Sequence, residues 1–193
     1  KFAAEYARLR AHKGMTIEAA RDIVTDVSYF GTMMVHFGLA DGMVSGAAHT
    51  TAHTIKPALE FIKTTDGVSI VSSVFFMALE DRVLVYGDCA VVPDPTAPQL
   101  ADIAISASQT ARQFGIEPRV AMLAYSTFGH TPGERSERVQ EVVKILDKRR
   151  VEFEYDGEMA ADVALNPRAQ QLYPFMRLTG PANVLIMPAF HSA

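Results

Sequence analysis

The sequence predicts an α/β protein built on a parallel sheet, with a mainly helical segment before it. Three observations carry that expectation. From about residue 68 onward, short runs rich in β-branched and aromatic residues alternate with longer amphipathic runs, as in sheets whose strands are joined by right-handed helical crossovers. Before that point the pattern is helical, and the change falls near Thr64 to Gly67. Finally, 193 residues with 49% hydrophobic and 21% charged side chains suffice for one packed domain or two small lobes.

The elements follow in order. Residues 2–13 place Phe2, Tyr6 and Leu9 at roughly helical spacing, and Gly14 ends the run. Thr16 heads the next helical stretch; Glu18 misses the capping-box position by one residue, so Thr16 is expected to cap alone. Ile17, Ala20, Ile23 and Val24 continue an apolar stripe that Gly31 is expected to interrupt. TIKPALEFIK (54–63) reads as a helix with Pro57 near its first turn, where the missing N–H costs little. GVSIVSSVFFMAL (67–79) reads as a buried strand and RVLVYGD (82–88) as a second. A helix over 94–115 and a third strand, RVAMLAYS (119–126), come next. The charged helix 133–150 gathers Val139, Val142, Val143 and Leu146 on one side. VEFEY (151–155) is a short extended piece, DGEMAADVAL (156–165) resembles an acidic helix start, and ANVLIMP (182–188) is the last strand.

Composition excludes several classes. A net charge of −4 and the lack of a basic run argue against a nucleic-acid partner. One cysteine, Cys89, cannot form an intrachain disulfide and suits a reducing compartment, so the protein is expected in the cytoplasm. No apolar run reaches membrane-spanning length, and no signal peptide opens the chain. It begins on KFAAEYARLRAHKG and closes on MPAFHSA, so it reads as incomplete at both ends, part of a longer protein.

The stretch LADGMVSGAAHTTAHTIKPALEF (39–61) holds the densest chemistry. Gly42 and Gly46 let backbone approach a ligand, and Ser45, Thr50 and Thr51 add hydroxyl donors before a helix start, where an anion is favoured. The alternative is a polar turn whose hydroxyls cap the helix that follows. A nucleotide P-loop would carry lysine after Gly46, and Ala47 stands there. His49 and His53 are four apart, yet Thr50 stands where a zinc protease needs glutamate, and a third ligand would come from far away in sequence; no metal is expected. Arg10 and Lys56 are the cations that could serve an anion, one as a fork and one as a point charge, though nothing in their spacing joins them. Asp88 and Cys89 lie just beyond a strand, where open sheets bind ligands, but Cys89 reads more simply as a small buried thiol. His130, in STFGHTPGERSE, either lines a crevice or sits on a connection. Asp156, Glu158 and Asp162 suit a helix dipole, with no partner pattern for acid–base work.

The blocks YARLRAHKG, DVSYFGTMMV, ADGMVSGAAHTTAHTIKPALEFIKT, VSSVFFM, VYGDCAVVPDPTAPQLADIAI and GIEPRVAMLAYST resemble the phosphate acetyltransferase (phosphotransacetylase) family over nearly all of residues 1–127. The resemblance implies two α/β lobes similar to isocitrate dehydrogenase, here residues 1–67 as part of a mainly helical first lobe and 68–193 as a second, in a homodimer. It implies exchange of acetyl between coenzyme A and phosphate, with no permanently bound cofactor and with coenzyme A, acetyl-CoA, acetyl phosphate and phosphate as small-molecule partners. Arg10 stands at the family's phosphate-binding arginine, and Lys56 where the family usually carries a second active-site arginine. Ser45, Gly46, Thr50 and Thr51 match its acyl-phosphate loop. The family's serine–arginine pair and thiol-deprotonating aspartate belong to a closing segment that these residues do not contain. Residues 128–193 also resemble the phosphotransacetylase-like C-terminal domain of NADP-dependent malic enzymes, which implies the alternative of an acetyl-CoA-sensing regulatory domain.

Overall fold

A computed structural model describes residues 1–66 and 68–192. The chain divides into two compact units, Lys1–Asp66 and Gly67–Ala193. Gly67, where the sequence places both the lobe boundary and the start of a strand, lies outside the described residues.

The first unit is helical. α1 (Phe2–Leu9) leads into a 3-10 turn at Ala11–Lys13 that Gly14 closes in the left-handed conformation. α2 (Ile17–Ile23) is capped by Thr16, whose hydroxyl accepts from the Ala19 N–H. The expected interruption at Gly31 does not occur. The break falls at Val24–Asp26, and α3 (Val27–His36) runs straight through Gly31. Asp26 causes the restart, because its carboxylate accepts from the Ser28 and Tyr29 N–H groups. Gly31 has a packing role instead: a Cβ there would lie 2.6 Å from Met43 Sδ. α4 (Thr51–Pro57) starts three residues earlier than expected, so Pro57 ends it rather than opening it. Without an N–H, Pro57 cannot continue the bonding ladder, and a π turn over Ala58–Ile62 follows. The unit's buried core is small and aromatic, with Tyr6, Ala20, Tyr29, Met33 and Phe61.

The second unit is a five-stranded sheet in the order β1-β2-β5-β3-β4, comprising β1 (Val74–Ala78), β2 (Val83–Gly87), β3 (Arg119–Leu123), β4 (Glu154–Met159) and β5 (Val184–Ile186). β2, β5, β3 and β4 are mutually parallel, while β1 pairs antiparallel with β2 at the edge. Between them lie α5 (Ala97–Gln113), α6 (Glu134–Arg149), α7 (Ala161–Leu165) and the single turn α8 (Pro167–Gln170). Side chains alternate across the sheet as the period of two requires. Val120, Met122, Val184 and Ile186 pack against α5 and α6, with Leu100, Ile103, Val142 and Leu146. Ala121, Leu123, Leu185 and Met159 join Val163, Ala164 and Leu178 in a second cluster. α5 is capped reciprocally by Thr96 and Gln99, and the alanines at 97, 101, 104, 107 and 111 are all buried.

Two expectations need correction here. The first strand is not buried: only Val74–Ala78 is extended, and Phe75, Phe76 and Met77 are exposed on the edge. A continuous apolar run suits a covered strand, but this one pairs on one side only. Residues 156–159 are strand rather than helix start; Asp156 and Glu158 are buried within β4, and only Asp162 falls in a first helical turn. Gly157 permits this register, since a Cβ there would meet the Met122 carbonyl oxygen at 2.7 Å.

Candidate functional site

Within the first unit, Arg10 and Lys56 line one pocket of about 490 Å³, together with Tyr6, Asp26, Tyr29, His53 and Glu60. Arg10 is the residue at which α1 ends, and Lys56 lies in the last turn of α4. Helix termination therefore places the first cation, and the Thr50 cap sets the helical phase that places the second.

The Arg10 guanidinium is held but not saturated. Among the described residues, its one hydrogen bond to a side chain runs from Nη2 to Glu60 Oε1 at a long 3.4 Å, and its buried Nε has no partner. An unpaired buried N–H of a charged group is costly unless something completes it. Glu60 is anchored from the other side: the Tyr6 hydroxyl donates to Oε2 at 2.6 Å and the Tyr29 hydroxyl at 3.3 Å. Burial and then the Glu60 carboxylate push the Tyr6 hydroxyl well above its usual range, so it stays a donor. The two tyrosines are also core residues, their rings edge-on to one another at 5.5 Å. Thus the core of this unit sets where Glu60 stands, and Glu60 sets where Arg10 stands.

The loop before α4 is placed differently. Ser45, Gly46, Thr50 and Thr51 are exposed, and none lines the Arg10–Lys56 pocket. Gly46 has φ +116, a conformation that requires glycine. Thr50 fills the capping role, accepting the His53 N–H at 3.3 Å. His49 and His53 stack with ring centroids 4.7 Å apart, and His53 Nε2 lies 3.0 Å from Asp26 Oδ2. Burial pushes the Asp26 carboxyl up, but the Tyr29 and Ser28 N–H groups and His53 outweigh it and hold it below the usual range.

In the second unit, Asp88 is buried and fully used. It accepts from the Ala90, Val91 and Val92 N–H groups and from the Ser73 hydroxyl, which makes it the organiser of the turn after β2. Cys89 is buried beside it; burial and then the Asp88 charge push its thiol up, the opposite of what a nucleophile needs. His130 is exposed on its loop. A cavity of about 340 Å³ does open beyond the carboxyl ends of β3 and β5, lined by Leu123, Tyr125, Arg135, Arg138, Met187 and His191, where open α/β sheets bind ligands.

The sequence names Arg10 and Lys56 as candidates, and the structure brings them to one pocket; the sequence does not name Tyr6, Tyr29, Glu60 and Asp26, which line that pocket with them. The signal available for Asp26 was its position before Val-Ser-Tyr at the head of an apolar run. Tyr6, Tyr29 and Glu60 carried none, because their meeting spans 54 residues.

The whole chain, residues 1–193, matches the family described as phosphate acetyl/butaryl transferase. A phosphate acetyltransferase of Nitratidesulfovibrio vulgaris is 56% identical over 97% of this chain and 27% of its own length. An NADP-dependent malic enzyme of Rhizobium meliloti is 50% identical over 97% of the chain and 25% of its own length. Among solved structures, a phosphotransacetylase from Streptococcus pyogenes superposes with a TM-score of 0.86 at 38% identity, covering 99% of this chain and 59% of that one. The chain thus spans about a quarter of these two curated relatives. Among the described residues, no helix is long and apolar enough to cross a membrane.

Proposed function

This chain belongs to the phosphate acetyl/butaryl transferase family, and we propose that the protein it comes from exchanges acetyl between coenzyme A and phosphate, with Arg10 and Lys56 holding the phosphoryl group. The observation that carries the reading is the unsaturated Arg10 guanidinium sharing a pocket with Lys56. Two cations on a dianion's oxygens are what an acyl phosphate requires. In the forward step the coenzyme A thiolate sulfur attacks the acetyl carbonyl carbon, the carbon–oxygen bond to phosphate breaks, and phosphate leaves with the electron pair. Arg10 and Lys56 stabilise the charge that gathers on the departing phosphate oxygens. Lys56 supplies a point charge where a second arginine would fork, so Arg10 carries the directional part. Ser45, Gly46, Thr50 and Thr51 are proposed as the loop donors toward the acyl phosphate; the Thr50 hydroxyl, an acceptor in its cap, still has its proton to give.

In the same reading the protein uses no permanently bound cofactor and works in the cytoplasm as a homodimer, in keeping with its single cysteine and the family resemblance. The likeness to a malic enzyme favours one other reading, in which the same region senses acetyl-CoA for an attached catalytic domain.

The test uses the protein with its natural continuations, coenzyme A and acetyl phosphate, followed by thioester absorbance. Turnover is expected, and Arg10→Ala is expected to lower kcat/KM by about 10- to 100-fold, the worth of a charged hydrogen bond. Saturable acetyl-CoA binding without turnover would overturn the enzyme and leave the sensor.

A further inference from the structure

We propose that Asp26, His49 and His53 form a binding site for a divalent transition metal of the zinc class. The three residues offer one ligand atom each, all within 4.8 Å of one another. A tetrahedral ion with bonds of ~2.0–2.2 Å holds its ligand atoms roughly 3.3–3.6 Å apart. His53 Nε2 and Asp26 Oδ2 already stand at 3.0 Å, so small side-chain rotations complete the set. Two imidazoles and one carboxylate select zinc, cobalt, nickel or copper over magnesium or calcium, which prefer all-oxygen shells.

Three features argue that the trio is built rather than accidental. The Asp26 carboxylate is oriented from behind, its Oδ1 accepting the Ser28 and Tyr29 N–H groups while Oδ2 faces His53. Such outer bonds are what hold a ligand carboxylate in place. The His49 and His53 rings lie nearly parallel, 17° apart. With the rings so aligned, a nitrogen of each comes within 4.8 Å of the other and of the Asp26 carboxylate. The three residues also come from two separate places: Asp26 heads α3, while His49 and His53 flank the start of α4. An ion there would tie the loop before α4 to the start of α3. The objection that His49 and His53 lack a third ligand nearby in sequence is met by Asp26, brought in by folding. Asp26 and His53 also line the Arg10–Lys56 pocket, so the test reads metal binding itself rather than turnover.

The test is calorimetric titration of the chelator-treated full protein with zinc chloride alone, and with cobalt chloride followed by visible absorption. One-to-one binding with tetrahedral cobalt bands is expected, along with a zinc-dependent rise in Tm. Asp26→Asn keeps a good helix cap and removes the anionic ligand. It is expected to weaken zinc by about tenfold or more, with the metal-free Tm little changed. His49→Gln is expected to do the same, and serves if Asp26→Asn lowers the metal-free Tm. Absence of a one-to-one step, or affinity unaltered in both variants, overturns the site.

Discussion

Among the described residues, the buried polar side chains of the sheet unit are all engaged, whereas in the helical unit several are withheld. Asp88, Ser108, Ser126, Ser136, Asp156 and Glu158 each have hydrogen-bond partners. The buried side-chain atoms without a partner among the described residues are Arg10 Nε, Ser28 Oγ and Thr54 Oγ1, all in the first unit. Buried polar atoms left open lower the stability of the free protein, and they persist where a ligand completes them. The sheet unit covers its strands with α5 and α6 through aliphatic side chains, each contributing roughly 1.5–3 kcal/mol on burial. The helical unit draws on a few aromatics, and Tyr6 and Tyr29 are at once its core and the wall of its pocket.

The sharpest way to break this contrast is to remove packing from the sheet unit. Leu146 is fully buried between α6 and its neighbours, and Leu146→Ala is expected to cost about 2–5 kcal/mol in urea denaturation. Affinity for inorganic phosphate in the folded protein should be unchanged; a parallel loss of binding would show that the sheet core also shapes the site.

Tyr6→Phe probes the other side. It deletes one hydroxyl and leaves Glu60 short of a donor, at an expected cost of about 1–3 kcal/mol. Glu60 then draws more heavily on Arg10, so phosphate affinity measured by calorimetry should fall with stability. Loss of stability with binding intact would separate core from pocket and end the comparison.

The smallest effect is expected at the surface of the sheet unit. Arg177 first, and Tyr155 second, hold the Asp147 carboxyl below its usual range. A depressed folded value means stability present above the unfolded carboxylate value near 4 and lost as pH falls through the folded one. Both partners are substantially exposed, so solvent screening reduces the pair to about 0.5 kcal/mol. Asp147→Asn should show that deficit in Tm at pH 7, with the gap to the parent closing in acid. A constant gap would mean the charge is not what Asp147 contributes.

The sequence by itself determined what is local. The helix cap at Thr16, the apolar side of α6 and the strand runs of β2, β3 and β5 depend on neighbours a few residues apart, and periodicity and turn chemistry report those. Arg10 and Lys56 were legible as candidate cations, and the family could be named from blocks that keep their order. What only the tertiary structure decided is what depends on distant partners. Whether 74–78 would be covered was set by its edge position; whether Asp156 and Glu158 would sit in a strand was set by pairing with β3. Gly31 is a seat for Met43 rather than a break, which no local pattern records. The pocket itself arises because a carboxylate at 60 is gripped by a tyrosine at 6, and Asp26 reaches His53 across 27 residues. Hydrogen bonds of that kind are chosen by packing geometry, and sequence spacing carries no trace of them.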